Sequence, residues 1–267
     1  MAFYEFETTK MFYEIIGEGI PFLIIHGWAI DHRFTKNMME PVFDNIAGFK
    51  RIYIDLPGMG VSEPGAVRNG DDVIRVLNSF MNDFFPNESF FIGGNSFGAG
   101  VSRAYTAKYP DQILGLMLIV PSTGKVGKLP VTGVAQKDTD FLKTLPVKER
   151  AAFSCMNANL TKAAYELYKE KVLPSVLINE NNDFIKGKFH GVFGFDIDAA
   201  FRKKTFDKPV LILCGTHDTA VGFEDQKKWL DLYPDSTYHV IENAGHNIFV
   251  DRPEEFNQIV SDWIASL

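Results

Sequence analysis

Ser89-Phe90-Phe91-Ile92-Gly93-Gly94-Asn95-Ser96-Phe97-Gly98-Ala99-Gly100 is an apolar run that ends in glycines, presents one serine and continues into small residues. The run reads as a buried strand, and Phe97-Gly98-Ala99-Gly100 reads as the start of a helix. Between them Gly94-x-Ser96-x-Gly98 has the spacing of a nucleophile elbow, a sharp strand-to-helix turn that holds a serine in a strained, exposed conformation. Glycine two residues before and two after the serine lets neighbouring backbone approach where a Cβ would clash. The pattern alone is common, so its meaning depends on what surrounds it.

Upstream, Phe3-Thr8 and Met11-Ile16 alternate apolar and polar residues and read as an antiparallel hairpin with its turn at Thr9-Lys10. Pro21-Phe22-Leu23-Ile24-Ile25-His26 is continuously apolar, as suits a strand covered on both faces. A helical pattern follows over 32–45. Arg51-Ile52-Tyr53-Ile54-Asp55-Leu56 reads as the next strand, and the acidic pair Asp71-Asp72 opens a helix. Downstream, a helix runs from the elbow to Tyr109, where Pro110 stops it, and Ile113–Val120 is a further buried strand. Regularity returns with the strand Pro209–Gly215, a helix around Phe223–Leu232, the strand Ser236–Ile241 and a last helix over Pro253–Ala265 with proline at its start.

Strands alternating with helices predict an α/β domain, a mostly parallel sheet covered on both faces. From Ser122 to Lys208 the chain is polar and aromatic, with helices expected near Asp138–Thr144 and Leu160–Lys171. Its phenylalanines at 184, 189, 193, 195, 201 and 206 follow no strand period. The expectation is therefore a core of residues 1–121 and 209–267 with a mainly helical cap, 122–208, inserted into it. As a set, the aromatic residues of that insertion imply an apolar cleft roofed over Ser96.

The 267 residues are 46% hydrophobic and 23% charged, enough apolar content for one large core, and the formal charge is -7. An acidic surface disfavours nucleic acid and anionic membrane as main partners. The first ten residues lack the basic start and apolar core of a leader, and no apolar run approaches the ~20 residues that cross a bilayer. Cys155 and Cys214 stand far apart in no metal-like spacing, and Cys214 lies within a buried strand, so a reducing, cytoplasmic setting is expected. Nothing in the sequence specifies an oligomeric state.

In open α/β sheets ligands bind beyond the carboxyl ends of the strands. His26-Gly27-Trp28, Ser96, Asp218 and His246 all fall at such ends. Chance matches would not collect on one edge of a sheet. A serine hydroxyl is a weak nucleophile at neutral pH and needs a base within hydrogen-bond reach. Imidazole, with a pKa near ~6.5, can take and return that proton.

With these pieces placed, the chain resembles the α/β-hydrolase-fold enzymes over essentially its whole length. The matching stretches are His26-Gly27-Trp28, Asp55-Leu56-Pro57-Gly58-Met59-Gly60-Val61-Ser62, Gly94-Asn95-Ser96-Phe97-Gly98, Gly215-Thr216-His217-Asp218 and Gly245-His246. The order Ser, Asp, His is the one that family uses. The resemblance implies Ser96 as nucleophile, His246 as base and Asp218 as the acid that orients it. It places the oxyanion donors on the backbone N–H groups of Trp28 and Phe97. Some relatives carry the acid after the strand that precedes the cap; here that position reads Pro121-Ser122-Thr123, which favours Asp218. Dehalogenases and epoxide hydrolases of this fold use aspartate at the elbow, so a serine excludes them.

The resulting expectation is a cofactor-free, metal-free serine hydrolase acting on a small, rather apolar ester or related acyl compound. C–C bond hydrolysis of a vinylogous diketone is a rival, because Gly94-Asn95-Ser96-Phe97-Gly98 resembles the elbow of those enzymes. Their oxyanion loop is usually rich in glycine and serine, whereas this one is Gly27-Trp28-Ala29-Ile30. Proline iminopeptidase-like action would need cap carboxylates such as Glu166, Glu170, Glu180 or Asp183 to bind a free amine. A non-enzymatic alternative keeps the pocket with a vestigial triad. Among the other polar residues, His26 reads as a structural holder of the oxyanion loop and Asp55 as a loop organiser. His217 points away from its neighbour Asp218 and is peripheral, and His32, His190 and His239 read as surface or packing residues. Gly58-Met59-Gly60 lacks the G-K-[ST] ending of a phosphate loop.

Overall fold

The computed structural model describes residues 2–122, 128–130, 132–187 and 205–267. Eight strands form one sheet: β1 (Ala2–Phe6), β2 (Thr9–Ile16), β3 (Ile20–Ile25), β4 (Phe49–Ile54), β5 (Phe90–Asn95), β6 (Ile113–Ile119), β9 (Val210–Gly215) and β10 (Ser236–Ile241). Two short strands between β6 and β9, β7 (Gln136–Lys137) and β8 (Asn159–Leu160), pair with each other instead. The order across the large sheet is β1-β2-β4-β3-β5-β6-β9-β10. Only the β1–β2 and β2–β4 pairings are antiparallel, so the sheet is mostly parallel, as expected from strands alternating with helices.

Side-chain alternation along β3 shows how the sequence builds two layers. Leu23 and Ile25 join one apolar cluster with Ile52, Ile54, Phe90 and Ile92. Phe22 and Ile24 join the other with Tyr53, Phe91, Met117 and Ile119. Helices α2 (Gly70–Phe84) and α3 (Phe97–Lys108) cover the first face with Val73, Leu77, Phe80, Val101 and Tyr105. On the second, α1 (His32–Phe43) and the last helix, Pro253–Ala265, supply Phe34, Met38, Phe256, Val260 and Trp263. Burying each such side chain contributes roughly 1.5–3 kcal/mol, and strands covered on both faces explain why β3, β5 and β9 lack polar alternation.

The connections place the site. From β3 the chain passes through α1 to β4 on one side. From β4 it crosses back through α2 to β5 on the other side of β3. The connections therefore diverge between β3 and β5, the kind of switch point at whose carboxyl ends open α/β sheets bind their ligands.

Several boundaries differ from expectation for physical reasons. The first hairpin turns at Glu7-Thr8, not Thr9-Lys10: Phe6 pairs with Thr9 and Glu5 with Lys10, while Lys10 also exchanges backbone hydrogen bonds with Glu63. Glu7 takes the positive φ of 52° that the tight turn demands. The acidic pair at 71–72 lies inside α2, whose cap is Asn69, its side chain accepting from the Asp72 N–H. Glu224–Leu232 winds as 3₁₀ turns, which bring Gln226 and Trp229, three residues apart, to the buried side.

Between β6 and β9 the described residues are mainly helical: α4 (Thr139–Thr144), α5 (Val147–Met156), α6 (Lys162–Lys171), α7 (Leu173–Leu177) and α8 (Asp183–Gly187). Two match the expected helices, with Asp138 and Thr161 as N-caps; Leu160 pairs in β8 rather than opening a helix. Thr123, Phe189, His190, Phe193, Phe195 and Phe201 lie outside the described residues. Phe184 packs on the main core and Phe206 is buried in it. Among the described residues no helix is long and apolar enough to cross a membrane.

Candidate active site

At the end of β5 the chain reverses at Ser96, which has φ 53° and ψ −114°. Positive φ costs a non-glycine residue steric strain, and the surrounding backbone holds it there. The Ser96 N–H donates to the Ile119 carbonyl, and the Ser96 carbonyl accepts from both Gly100 and Ser122. The Ser96 side chain makes no cap hydrogen bond to α3.

The elbow closes only because two glycines flank it. A Cβ on Gly94 would lie 2.5 Å from the Gly98 carbonyl carbon and 2.6 Å from the Ile25 oxygen, and one on Gly98 would overlap the Ile25 and His26 carbonyls. The elbow is thus locked against the end of β3. Gly27 adjoins it, since a Cβ there would sit 2.6 Å from Asn95 Oδ1 and 3.4 Å from Ser96 Cβ.

Asp218 and His246 reach the same edge from β9 and from the loop after β10. Asp218 is fully buried and its Oδ1 accepts from the N–H groups of Ala220 and Val221. Its Oδ2 accepts from His246 Nδ1 at 2.8 Å. A carboxylate only accepts, so this bond puts the imidazole proton on Nδ1 and leaves Nε2 as a lone pair. His217 turns away, bonding Thr216 Oγ1 at 2.9 Å, and is half-buried.

Trp28 and Phe97, the two residues whose amides were expected to face an oxyanion, meet edge to face, ring centroids 5.7 Å apart at 81°. Phe97 is the first residue of α3 and precedes its first intrahelical bond, from Gly100 N to the Ser96 carbonyl. Helix amides at that position carry partial positive charge. Behind Trp28, His26 is completely buried. Its Nε2 accepts from the Leu56 N–H at 2.9 Å, and Nδ1–H therefore donates to the Gly27 carbonyl at 2.7 Å. Because a trans peptide is planar, fixing the Gly27 carbonyl on His26 directs the Trp28 N–H to the opposite side. Burial pushes the His26 pKa below its ordinary value, so the ring is a neutral clamp, consistent with a structural role.

Asp55 organises its loop through partners that sequence spacing did not reveal. Oδ1 accepts from the His32 N–H at 2.8 Å and from His32 Nδ1 at 2.7 Å, and Oδ2 accepts from the Val61 N–H. Burial pushes its carboxyl up, yet the His32 hydrogen bond, the nearby imidazoles of His26 and His32 and the Val61 amide together outweigh this and hold it below the usual carboxylate range. His32, read as surface or packing, is instead this carboxylate's partner. The donor atoms of Asp31, His32 and Asp55 lie within 4.8 Å of one another. Asp31 spends its oxygens on Arg33 N and Nε, and the remaining bonds hold the loop. His239 stands half-buried on β10.

Parts of the 122–208 segment meet the loops at this edge. Asn179 Oδ1 accepts from Gly60 N, Asn182 Nδ2 donates to the Gly58 carbonyl, and the Phe184 ring occupies the space a Gly58 side chain would need. The backbone of Asn247 donates to the Met156 carbonyl. Glu166, Glu170, Glu180 and Asp183 are all exposed. Asp251, not singled out in the sequence, is buried and accepts from three backbone N–H groups around the His246 loop. Its only sequence signal is its position five residues after His246.

Comparison with known proteins agrees with this architecture. Residues 20–253 match a family model described as alpha/beta hydrolase fold. The chain is 24% identical to a pimeloyl-[acyl-carrier protein] methyl ester esterase of Shewanella woodyi, covering 96% of this chain and 98% of that one. It is also 24% identical to a 2-hydroxy-6-oxononadienedioate/2-hydroxy-6-oxononatrienedioate hydrolase of Pseudomonas putida, covering 96% and 91%. A solved alpha/beta superfamily hydrolase from Oenococcus oeni PSU-1 superposes with a TM-score of 0.85 at 23% identity, covering 99% of this chain and 98% of that one.

Proposed function

The chain belongs to the alpha/beta hydrolase fold family, and on that footing we propose that it is a serine hydrolase cleaving a small, rather apolar ester through an acyl-enzyme on Ser96. Ser96 Oγ attacks the ester carbonyl as its proton passes to His246 Nε2. The tetrahedral oxyanion takes hydrogen bonds from the Trp28 and Phe97 amides. His246 then returns the proton to the departing alcohol, and a water activated by the same nitrogen releases the acid. Asp218 keeps the imidazole in the tautomer this sequence needs.

The observation that carries the reading is the 2.8 Å bond between His246 Nδ1 and Asp218 Oδ2, which leaves Nε2 as the accepting nitrogen. In this reading, residues 1–121 and 209–267 are the catalytic core and 122–208 are a cap, an assignment supported by the contacts of Asn179, Asn182 and Phe184 with the 58–60 loop. The unpaired thiols of Cys155 and Cys214 suit a cytoplasmic setting. The Shewanella relative, named a methyl ester esterase, supports ester cleavage.

A second reading, C–C bond hydrolysis of a vinylogous diketone, draws support from the Pseudomonas relative and from the Asn95-Ser96-Phe97 elbow. Against it stands Trp28 in the oxyanion loop, bulky and apolar where those enzymes use small residues. Iminopeptidase action is disfavoured because the carboxylates it would use are exposed. The test is hydrolysis of short p-nitrophenyl esters by the parent and Ser96→Ala, alongside a vinylogous diketone. The proposal expects ester turnover that Ser96→Ala abolishes with its fold intact; equal rates in parent and variant sink it. Turnover of the diketone alone selects the second reading.

A further inference from the structure

We infer that Asp251 is a positioning residue for the general base: it ties the loop carrying His246 to the joint between α5 and β8, so that base and covering segment move as one unit. The inference rests on the reading of His246 given above. Asp251 ends the short helix Ile248–Asp251, and its carboxylate is buried. Oδ2 accepts from the Gly245 N–H and the Ala158 N–H, each at 2.8 Å, and Oδ1 accepts from the Asn159 N–H at 2.9 Å. One carboxylate therefore holds the residue immediately before His246 and two residues of the covering segment. These are charge-assisted bonds, stronger and less forgiving than neutral ones.

The surroundings tighten the same joint. Asn159 Nδ2 donates to the Asn243 carbonyl at 2.9 Å and to the Asp251 carbonyl at 3.0 Å, and Asn247 N donates to the Met156 carbonyl at 3.0 Å. Gly245 must stay small, because a Cβ there would meet Ala158 N at 2.9 Å and the Met156 oxygen at 3.0 Å. The residues on either side of His246, Gly245 and Asn247, are thus both bonded to this joint. Asp218 sets which ring nitrogen carries the proton; Asp251 sets where the ring's backbone stands. Proton transfer depends steeply on that distance, and a displacement of about 1 Å can cost ~10²-fold in rate.

Asparagine at 251 keeps one acceptor oxygen and turns an NH₂ towards backbone donors, so the joint must open on one side. The test compares the parent, Asp251→Asn, Asn159→Ala and the control Glu40→Gln. Glu40, on α1, is a part-buried carboxylate that accepts from Arg51 and Tyr53 of β4 and bonds none of the residues of this joint among the described contacts. With p-nitrophenyl acetate, Asp251→Asn is expected to lower kcat at least tenfold with KM within about twofold. Fluorophosphonate labelling of Ser96 slows by a similar factor, and amide exchange at Gly245 and Ala158 accelerates. Asn159→Ala, which leaves the carboxylate in place, is expected to lose three- to tenfold in kcat and answers the question if Asp251→Asn does not fold. Glu40→Gln loses Tm and keeps kcat. A parental kcat in Asp251→Asn, or in Asn159→Ala, despite faster exchange at Gly245 overturns the inference. So does a loss of kcat in Glu40→Gln that matches its loss of Tm as it does in the others. A parent protein that takes no label at Ser96 overturns the underlying reading of the site, and needs no variant to show it.

Discussion

Asp218→Asn exchanges one oxygen for an NH₂ at a fully buried position. The Oδ1 that accepts from Ala220 and Val221 can stay an oxygen, so the loop keeps both of those bonds. The NH₂ then faces His246 Nδ1, where Oδ2 stood 2.8 Å away. Two donors cannot share that contact, so the imidazole changes tautomer: Nδ1 becomes the acceptor and Nε2 carries the proton. On the proposed assignment, Ser96 then has no base, while the loop around Asp218 is unchanged. In a serine triad the wrong tautomer costs ~10⁴ in kcat, which is about 5 kcal/mol of transition-state stabilisation. One charged hydrogen bond is lost from the fold as well, at a cost of about 2 kcal/mol. The assay is hydrolysis of p-nitrophenyl butyrate, with circular dichroism and urea unfolding to confirm the fold. The expected result is a kcat lowered by three to four orders of magnitude at nearly unchanged KM. A folded variant with kcat within tenfold of the parent would refute the assignment of Asp218 as the orienting acid.

Two further outcomes follow from the same geometry. Gly98→Ala drives a methyl into the Ile25 and His26 carbonyls. Backbone cannot yield as a side-chain end does, so the expected loss is at least ~2 kcal/mol in urea unfolding, together with most of the activity; an unchanged midpoint would contradict the packing described. His26 is neutral in the fold with its pKa below 6.5, so below about pH 6.5 the unfolded chain binds more protons than the native one. Stability attributable to His26 is therefore complete above that pH and is lost on acidification, by at most ~1.4 kcal/mol per pH unit. Urea midpoints measured at pH 7.5 and 5.5 should separate, and should separate less in His26→Gln; equal slopes in both proteins would count against the clamp.

What was legible in the sequence was whatever leaves a local pattern. Strands β3, β5 and β9 announce themselves as apolar runs because both faces are covered. The residues after strand ends could be assigned to one edge by topology alone, which is how Ser96, Asp218 and His246 were grouped as candidates; the structure gives the Asp218–His246 bond at 2.8 Å. Pairings across the fold leave no such pattern. His32 and Asp55 meet because α1 and β4 bring them together from 23 positions apart, and nothing in either neighbourhood says so. Asp251 works on backbone amides, which every residue has, so its partners Ala158 and Gly245 carry no signature. Helix α5 was missed because only Phe153 among its residues is buried, while Val147 is 72% exposed, and so it lacks an apolar stripe. Gly58 looked like part of a loop motif; its size is set by the Phe184 ring, 126 positions later.

The central claim is a covalent intermediate on Ser96, and intact-protein mass spectrometry of the enzyme quenched with a p-nitrophenyl ester in turnover reads it directly. The account predicts one added acyl mass, mapped to the peptide containing Ser96 and missing from Ser96→Ala. Turnover without an adduct under conditions that trap a fluorophosphonate on Ser96, or an acyl group mapped to another residue, would contradict it.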